Sequence, residues 1–318
     1  MPANYNLPAL NSTAFDNSVR EKIGTISSIF NPMMTAYPIP AGTEAKTWNQ
    51  GGRSASAKAY DQRFGDTTYQ DIDFEKRTFF KKYWDVDAIP IDEFADLDSI
   101  SFSPENHYVK MISEALNKKR NDVFIDAFEE DVIVTNILNA DGTTGTTTRS
   151  FNSSNIIARD FNSSGTNTAL SLTKLDELIN RAEDNKLIGD EFEHMNGFSL
   201  CMLMTERQSS LLYNQARTSS SEYATFFKWD PMKNRISNYR SIKFVYFSSN
   251  IKEYTATDTI QKLYAWHPKA FIYDPENVKS YASSNMPEKK YNGQVYSKMA
   301  YNVMRVYEEA AFRVDCKK

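Results

Sequence analysis

The part of the sequence that most constrains the fold is residues 45–90, because their pattern predicts long strands without a core of their own. Charged, β-branched and aromatic residues alternate there with a period close to two, and Gly51, Gly52 and Gly65 interrupt the alternation. This pattern is typical of twisted hairpin strands, yet an isolated two-stranded hairpin is only marginally stable in water. Unless it is an ordinary surface hairpin, this segment must lie on a neighbour, within the chain or in another subunit.

A long helix is predicted from residue 104 to residue 128. Ser103 has the side chain of an N-cap, Pro104 fits the first helical position, and Glu105 places an acid in the first turn. At about 25 residues this helix would be about 40 Å long, twice the usual length, so we expect it to lie along one face of a sheet. A basic run, residues 118–120, interrupts its apolar face for about one turn. The expected apolar face consists of Tyr108, Met111, Ile112, Ala115, Leu116, Val123, Phe124, Ala127 and Phe128.

Ahead of the hairpin, residues 1–35 predict an extended arm with one short amphipathic stretch. That stretch is marked by Val19, Ile23, Ile26 and Phe30, which recur at spacings of three and four. After the long helix, residues 132–135 predict a short strand, and the following segment up to residue 169 is rich in Gly, Ser, Thr and Asn. We interpret that segment as a decorated loop.

The C-terminal half mixes helices and strands. A helix is predicted for residues 172–187 with Thr173 and Asp176 as its capping pair, and the apolar run 198–204 predicts a strand covered on both faces. Thr205 and Gln208 fit a capping box before a short helix. Further strands are predicted for residues 242–247, 262–266, 291–307 and 310–316, of which 291–307 is unusually long. This order predicts an α+β or α/β layer, and α+β is the class we expect.

The sequence carries no enzyme signature. His107, His194 and His267 lie far apart, and Cys201 and Cys316 are too few for a disulfide framework or a Cys-based zinc site. Both cysteines are therefore expected as reduced thiols. Neither a glycine-rich phosphate loop nor a nucleophile elbow occurs, and we interpret the acidic residues between 85 and 98 as a solvated edge. No catalytic residue, no cofactor and no metal is expected.

Charge and composition exclude further classes. With 37 Lys+Arg against 41 Asp+Glu, the chain has a formal charge of -4 and lacks the basic excess of a dedicated nucleic-acid binder. No apolar run approaches the roughly 18–20 residues of a membrane-spanning helix. Aromatic residues reach 13% although hydrophobic residues make up only 41%, and Tyr and Phe are enriched at protein interfaces. We therefore expect part of these rings to need partner surface.

Several segments follow one another in an informative order. Residues 172–179 read Leu-Thr-Lys-Leu-Asp-Glu-Leu-Ile, and the strand at 200–204 continues into Thr-Glu-Arg-Gln-Ser-Ser-Leu-Leu. Residues 242–244, 265–270 and the ending 305–316 follow. This order resembles that of the major capsid proteins of tailed bacteriophages, which have the Hong Kong 97-type capsid fold and a similar strand followed by Ser-Pro-x-Gln-x-x-x-Leu-Leu. The helix at 104–128 resembles the family's spine helix. Each motif is weak, and their shared order over residues 40–316 carries the resemblance.

The resemblance implies a division of the chain into four parts. They are an N-terminal arm (1–35), an extended loop (36–90) lying over a neighbouring subunit, a peripheral domain (91–170 and 291–307) with the spine helix 104–128, and an axial domain (171–290 and 308–318) around hexamer and pentamer centres. The loop is expected to make the contacts between subunits. Its inter-subunit contact candidates are Trp48, Arg53, Arg63, Phe64, Tyr69 and Phe74.

The function implied is that of a structural subunit of an icosahedral phage head, without enzyme activity. Such subunits self-assemble as hexamers and pentamers and enclose double-stranded DNA without sequence specificity, so the protein is expected in the virion capsid after assembly in the host bacterial cytoplasm. Because the arm begins at Met1, we expect a separate scaffolding protein and no large N-terminal cleavage. A portal protein and, on some shells, a decoration protein are further expected partners, whereas a membrane is not.

Two other functions stay open at this point. The first is an encapsulin-like compartment shell protein, which would have the same fold and hold a cargo enzyme. The second is an α+β enzyme or ligand-binding protein whose site has no linear motif. A shell protein is expected to form particles or rings, whereas an enzyme of this kind is expected to be a monomer or dimer with a discrete pocket.

Overall fold

The computed structural model describes residues 7–25, 30–51, 74–91, 107–138, 144–163, 168–185, 187, 200–219, 227–230, 235–247, 260–275, 277–283 and 293–317. In this part of the chain the structure is a mixed α+β fold. The helices are α1 (Leu7–Thr25), α2 (His107–Glu129), α3 (Leu172–Asp184) and α4 (Glu206–Ser219). The strands are β1 (Thr35–Ala36), β2 (Ala45–Gly51), β3 (Phe74–Phe80), β4 (Tyr83–Ile91), β5 (Val132–Leu138), β6 (Thr144–Arg149), β7 (Ile156–Ile157), β8 (Leu200–Met204), β9 (Phe227–Asp230), β10 (Arg235–Tyr239), β11 (Ile242–Tyr246), β12 (Ile260–Trp266), β13 (Phe271–Tyr273), β14 (Asn277–Ser283), β15 (Gly293–Ala300), β16 (Val303–Arg305) and β17 (Ala311–Lys317).

The strands form four sheets. The largest has seven strands in the order β7-β17-β12-β8-β11-β10-β9, and a four-stranded sheet has the order β2-β3-β5-β6. Two three-stranded sheets have the orders β14-β15-β4 and β1-β13-β16. Strand β8 lies at the middle of the seven-stranded sheet, parallel to β11 and antiparallel to β12. All five of its residues are buried, which confirms the prediction of a strand covered on both faces.

Helix α2 lies across the core and confirms the predicted long helix. Its underside packs an aromatic cluster in which the rings of Phe124 and Phe30 stack at 4.5 Å and those of Phe124 and Trp266 meet edge to face at 5.0 Å. The Phe128 ring stacks on Tyr264 at 4.5 Å. Some of the rings that composition led us to expect at interfaces therefore form this core. The predicted cap at Ser103 lies outside the described residues.

The predicted apolar face of α2 was wrong at three positions. Met111 and Ala115 are exposed, whereas Arg120 is buried. Arg120 lies four residues after Leu116 and four before Phe124, both of which are buried, and residues four apart share one helix face. Position on the helix, and not residue type, therefore decides burial here.

Helix α1 is longer than predicted and belongs to the core of its own chain. Phe15, Val19 and Ile23 are buried in the main hydrophobic cluster, and the helix packs against β14 and α2. The Asp16 carboxylate accepts a hydrogen bond from the Ser280 backbone N–H of β14 at 2.6 Å. The expectation of an extended arm was therefore wrong for residues 7–25, although the spacing of Val19 and Ile23 had indicated the correct face.

The predicted strand 291–307 is two strands in different sheets. Strand β15 pairs with β14 and β4, whereas β16 pairs with β13. Between them the Tyr301 backbone N–H donates to Lys82 O at 3.1 Å, and Asn302 O accepts from the Asp274 N–H at 3.0 Å. These hydrogen bonds lie where the chain passes from one sheet to the next. Two consecutive strands and one long strand have the same alternating sequence pattern, so the sequence does not distinguish them.

Two predicted caps had different outcomes. Ser171, not Thr173, caps α3, since its hydroxyl accepts the Lys174 backbone N–H; the helix begins at Leu172, so Thr173 is already inside it. Thr205 does accept the Gln208 backbone N–H at 3.2 Å. In a complete capping box the Gln208 side chain would bond back to Thr205. Here it donates to Lys317 O of β17 at 2.8 Å instead.

The side chain of Lys174 joins three segments around α3. The residue has 0% exposure, and its ammonium donates to the backbone carbonyls of Arg159, Thr168 and Asp315 at 3.0, 3.1 and 2.9 Å. Burial lowers the pKa of this ammonium below its ordinary value, against the opposing effect of the neighbouring Cys316 and Asp315. The three carbonyls replace the water that the buried cation has lost.

Candidate inter-subunit site

The structure describes two of the six predicted contact residues. Trp48 lies on β2 opposite Arg77 of β3, and Phe74 begins β3 opposite Gly51. Arg53, Arg63, Phe64 and Tyr69 lie outside the described residues. The predicted hairpin is confirmed in the strands that the structure describes, since β2 and β3 pair antiparallel from Ala45–Phe80 to Gly51–Phe74.

Trp48 packs on its own chain at the hairpin base, by which we mean the end of β2 and β3 at Ala45 and Phe80. Its ring meets that of Tyr37 edge to face at 5.0 Å, and both rings pack on a second, smaller hydrophobic cluster. The cluster consists of Ile39, Phe79, Val132, Ile272, Met304 and Val306. Because these residues come from two sheets and the segments beside them, the cluster attaches the hairpin to the rest of the subunit. A contact of Trp48 with a neighbouring subunit stays a prediction.

A buried ion pair reinforces this attachment. Both terminal nitrogens of Arg77 in β3 donate to the Glu308 carboxylate, at 2.6 and 2.7 Å. Arg77 is 1% exposed, and the Glu308 side chain is 16% exposed. Bidentate arginine–carboxylate pairs combine strength with a fixed geometry, so the hairpin base is held in one orientation relative to the segment between β16 and β17.

Arg305 joins the same region to the end of α2. Its guanidinium, which is 0% exposed, donates to Phe128 O and to Arg149 O at 3.2 Å, and its Nε lies 3.9 Å from the Glu308 carboxylate. Burial lowers the pKa of Arg305, while Glu308 raises it and Arg77 lowers it further. Both buried cations therefore share Glu308, while Glu75 lies 3.6 Å from Arg77 and Asp131 also raises the pKa of Arg305.

A second charged cluster lies at the C-terminal end of α2. Glu129 accepts from the Lys262 ammonium at 2.6 and 2.8 Å, from the Tyr264 hydroxyl at 2.9 Å and from Arg313 at 3.2 Å. Burial alone would raise the pKa of Glu129, but the hydrogen bonds and charges of these partners outweigh it and hold the pKa below its ordinary value. Burial and the adjacent carboxylate raise the pKa of Tyr264. These contacts attach the C-terminal end of α2 to β12 and β17.

The chain exposes large apolar side chains at several places. Two, Phe80 and Ile133, lie beside the hairpin base, and Tyr213 of α4 packs on Trp229 of β9 with ring centroids 4.7 Å apart. Strand β9 is an edge of the seven-stranded sheet. The exposed set is Phe80, Tyr83, Met111, Ile133, Leu211, Tyr213, Trp229 and Tyr281. Only an adjacent pair such as Tyr213 and Trp229 has the form of a surface that contacts another protein, since apolar side chains that are exposed singly are ordinary.

Neither cysteine lies at the surface. Cys201 and Cys316 are free and buried, and burial raises the pKa of each thiol to about 12. His107 is exposed beside Tyr108, while His267 is buried and its Nδ1 accepts the Lys269 N–H. Within the described ranges no group of three or more His, Cys, Asp or Glu could hold a metal ion, and no helix is long and apolar enough to cross a membrane.

Sequence reasoning missed the buried cations that organise the site. Arg77 lies two residues before Phe79, which is buried, so strand alternation places both side chains on one face; that spacing was the available signal. Nothing comparable indicated Glu308, which lies between the predicted strands 291–307 and 310–316. Its partner lies 231 residues away, and no local pattern records such a contact.

Similarity to known proteins was found at the level of family and fold. The phage capsid protein family matches residues 40–318, whereas no curated protein sequence matches the chain. The capsid of Ralstonia phage GP4 is similar with a TM-score of 0.61 and 7% identity, covering 90% of this chain and 87% of that chain. The capsid of Helicobacter pylori bacteriophage KHP30 gives 0.60 and 8%, covering 90% and 88%. An encapsulin complex from Synechococcus elongatus gives 0.53 and 11%, covering 92% and 89%.

Proposed function

The chain belongs to the phage capsid protein family, and on this basis we propose that it is the major structural subunit of an icosahedral phage head. In this role it assembles with copies of itself as hexamers and pentamers and encloses double-stranded DNA. The observation that carries the proposal is the family match over residues 40–318. Its role is structural and not enzymatic.

The attachment of the hairpin supports this role. A hairpin that reaches a neighbouring subunit transmits force to its own subunit only if its base cannot rotate. The bidentate Arg77–Glu308 pair and the small cluster around Phe79 hold that base from two sides. We therefore assign residues 36–90 to the loop that contacts the neighbour, with Trp48, Arg53, Arg63, Phe64, Tyr69 and Phe74 as its contact residues.

The other parts of the chain are assigned to the other regions of a capsid subunit. Residues 91–170 and 291–307 form the peripheral domain with α2 as its spine helix, and residues 171–290 and 308–318 form the axial domain at the centres of hexamers and pentamers. The seven-stranded sheet supports the grouping of residues 171–290 with 308–318, because it joins β8 to β12 with the last strand, β17; it also includes β7 from the segment 91–170. The first 35 residues act as an arm in which α1 stays on its own subunit.

The partners follow from the same role. A separate scaffolding protein guides assembly in the host cytoplasm, a portal protein occupies one vertex, and a decoration protein binds the outside of some shells. The DNA is held by enclosure and without sequence specificity, which suits a formal charge of -4 because tight phosphate binding needs a basic surface.

A second candidate function is a compartment shell that holds a cargo enzyme. The similarity to the Synechococcus elongatus encapsulin complex, at a TM-score of 0.53, is the observation that favours it. The family match over residues 40–318 favours the phage head.

Negative-stain electron microscopy and mass photometry of the chain expressed in bacteria test the proposal. We expect shells, tubes, or rings of five and six subunits, with shells of varied size when the chain is alone. Uniform closed shells formed by the chain alone would favour the compartment. A monomer or dimer that persists over the whole accessible concentration range would contradict both shell functions.

A further inference from the structure

One sheet edge lacks the usual protection against pairing with another strand. Strand β6 is the last strand of the four-stranded sheet and pairs on one side only, with β5, from Val132–Arg149 to Leu138–Thr144. Among the described residues no strand pairs with its other side. A free edge presents a row of backbone N–H and C=O groups on which another chain can add a strand.

The other sheet edges in the described part of the chain are short, covered or charged. Strands β1, β7 and β16 have only two or three residues each. Strand β14 is covered by α1, whose Asp16 carboxylate accepts the Ser280 N–H. Charge and proline are the usual devices that keep an edge from pairing. Strands β2, β4 and β9 carry them at Lys46, Asp85, Asp87, Pro90, Lys228 and Asp230.

Strand β6 has neither charge nor proline over its first five residues. Residues 144–148 read Thr-Gly-Thr-Thr-Thr, and threonine favours strands. The threonines at 146–148 are exposed. Arg149, the first charged residue, is bound within its own chain, because its guanidinium donates to Glu75 at 2.5 Å and its carbonyl accepts from Arg305 at 3.2 Å. The open part of the edge is therefore residues 144–148.

This open edge is complementary to a second copy of itself. When two copies of one strand pair antiparallel about a two-fold axis, each residue lies opposite the residue equally far beyond the axis. With the axis at Thr146, residues 144–148 of one copy oppose residues 148–144 of the other, and both copies of Arg149 lie outside the paired stretch. Opposed threonines are a favourable cross-strand pair, whereas opposed like charges are not. An axis nearer to Arg149 would bring the two arginines into the pairing.

We propose that β6 pairs with β6 of a second copy of this chain about a two-fold axis at Thr146, which joins the two four-stranded sheets into one. The proposal rests on the proposed function, because a shell brings many copies of this edge together and so makes the second copy its most abundant occupant. An edge without charges also offers nothing that would select a charged partner.

The symmetry assigns this contact to the boundary between rings. Contacts within a ring of five or six subunits are head-to-tail, whereas a surface that meets its own copy requires a two-fold axis. In a closed shell such axes, true or approximate, lie where two rings meet. The β6 pair therefore holds neighbouring rings together and does not form the rings themselves.

Disulfide trapping with a single substitution tests the pairing and its register. Directly opposed residues of antiparallel strands have Cα atoms about 4.5–5.5 Å apart, within the range of about 4.4–6.8 Å that a disulfide spans. Thr146→Cys should therefore cross-link to its own copy on mild oxidation of assembled particles, measured as a dimer on non-reducing gels. The native cysteines are buried and do not compete.

The matched control is Thr148→Cys, on the same strand and equally exposed. Because residue 148 lies opposite residue 144 of the copy, two cysteines introduced at 148 are about 13 Å apart along the strands and cannot bond. We expect Thr146→Cys to cross-link at least about tenfold faster than Thr148→Cys, since only the first pair has a high effective concentration.

A charge at the axis provides a second readout. Thr146→Lys places two ammonium groups opposite each other and is expected to lower the association of rings into shells about tenfold, while rings of five and six still form. Thr146→Glu should do the same, and an equal mixture of the two variants should restore most of the association. Thr148→Lys makes the same charge change without opposing like charges and is expected to have a smaller effect. Mass photometry measures rings and shells together.

Hydrogen exchange shows whether the chain's own residues cover the edge. The amides of residues 144–148 that do not bond to β5 should exchange rapidly in the dissociated subunit and at least about tenfold more slowly in shells, because only there do they donate to the second copy. Protection that is already complete in the dissociated subunit assigns the edge to the chain itself and overturns the proposal.

The outcomes separate the edge proposal from the shell function. Rings or shells in which Thr146→Cys cross-links no faster than Thr148→Cys overturn the edge proposal and leave the shell function standing. Cross-linked dimers of a chain that never forms rings or shells support the edge pairing and contradict the shell function. A chain that neither assembles nor cross-links contradicts both.

Discussion

Replacing Glu308 by Gln should destabilise the subunit because it leaves two guanidiniums, those of Arg77 and Arg305, without their shared carboxylate. Arg77 is 1% and Arg305 0% exposed, so neither can regain water. Removing one partner of a buried pair costs about 3–5 kcal/mol. Glu75 still lies 3.6 Å from Arg77 and the glutamine carbonyl can still accept, so we expect a loss of about 3 kcal/mol, or a fall of about 4–5 °C in Tm.

The informative comparison is with Arg77→Met. This change leaves Glu308 charged, but the Glu308 side chain is 16% exposed and still lies near Arg305, so we expect a smaller loss of about 1–2 kcal/mol. If the penalty of Glu308→Gln comes from an unbalanced buried cation, removing that cation must relieve it. The double variant Arg77→Met/Glu308→Gln should therefore be more stable than Glu308→Gln alone.

Urea denaturation and calorimetry of the purified subunit measure this series. Arg149→Met is the matched control. It removes an exposed arginine of the same network, whose guanidinium lies 2.5 Å from the Glu75 carboxylate. We expect it to lower the free energy of unfolding by less than about 1 kcal/mol. Losses that simply add in the double variant would refute the reasoning, since additivity means that the two side chains do not interact.

Three further predictions concern other buried groups. Lys174→Met should destabilise the subunit by about 2–4 kcal/mol, because three backbone carbonyls lose their donor; thermal unfolding measures it, and a loss below that of an exposed lysine variant would contradict it. Cys201 and Cys316, whose thiol pKa values are raised to about 12, should react with a disulfide reagent at pH 8 only after denaturation, and rapid reaction of the native protein would count against their burial. The lowered pKa of Glu129 contributes stability that is present above the ordinary carboxyl pKa and is lost as pH falls through the folded pKa. The stability difference between wild type and Glu129→Gln should therefore shrink on acidification below about pH 4, and a difference that stays constant down to pH 2 would contradict the assignment.

The elements that sequence predicted well are those whose signal is local. The apolar run at 200–204 is a buried strand, and the spacing of Leu116, Val123 and Phe124 marks the buried face of α2. In each case the residues that fix the element lie within a few positions of one another. The capsid resemblance likewise came from short segments in a fixed order, and the family match over residues 40–318 bears it out.

The features that sequence did not predict depend on contacts between distant segments. Arg120 was predicted only as part of a basic interruption of the apolar helix face, and no burial was predicted for Arg77, Arg305 and Lys174, yet all four are buried. The last three donate to backbone carbonyls or carboxylates of other elements, and those carbonyls come from segments that do not pair with the donor's own element. A cation is buried where such acceptors converge, and that convergence exists only after the sheets have packed.

A shell that contains both five- and six-membered rings requires the same chain to meet its neighbours at different angles. Either the subunit itself changes shape, or the contacts between subunits change. Within the subunit, the Arg77–Glu308 pair and the contacts of Arg305 join β3, α2 and β16 in low-dielectric surroundings, where breaking such a pair costs several kcal/mol. Contacts between exposed side chains of different subunits are instead weak individually, so a change of angle there costs little. Structures of the two ring types should therefore show the contacts of the hairpin base unchanged and the angular difference between subunits; a hairpin base that bends between the two ring types would contradict this division.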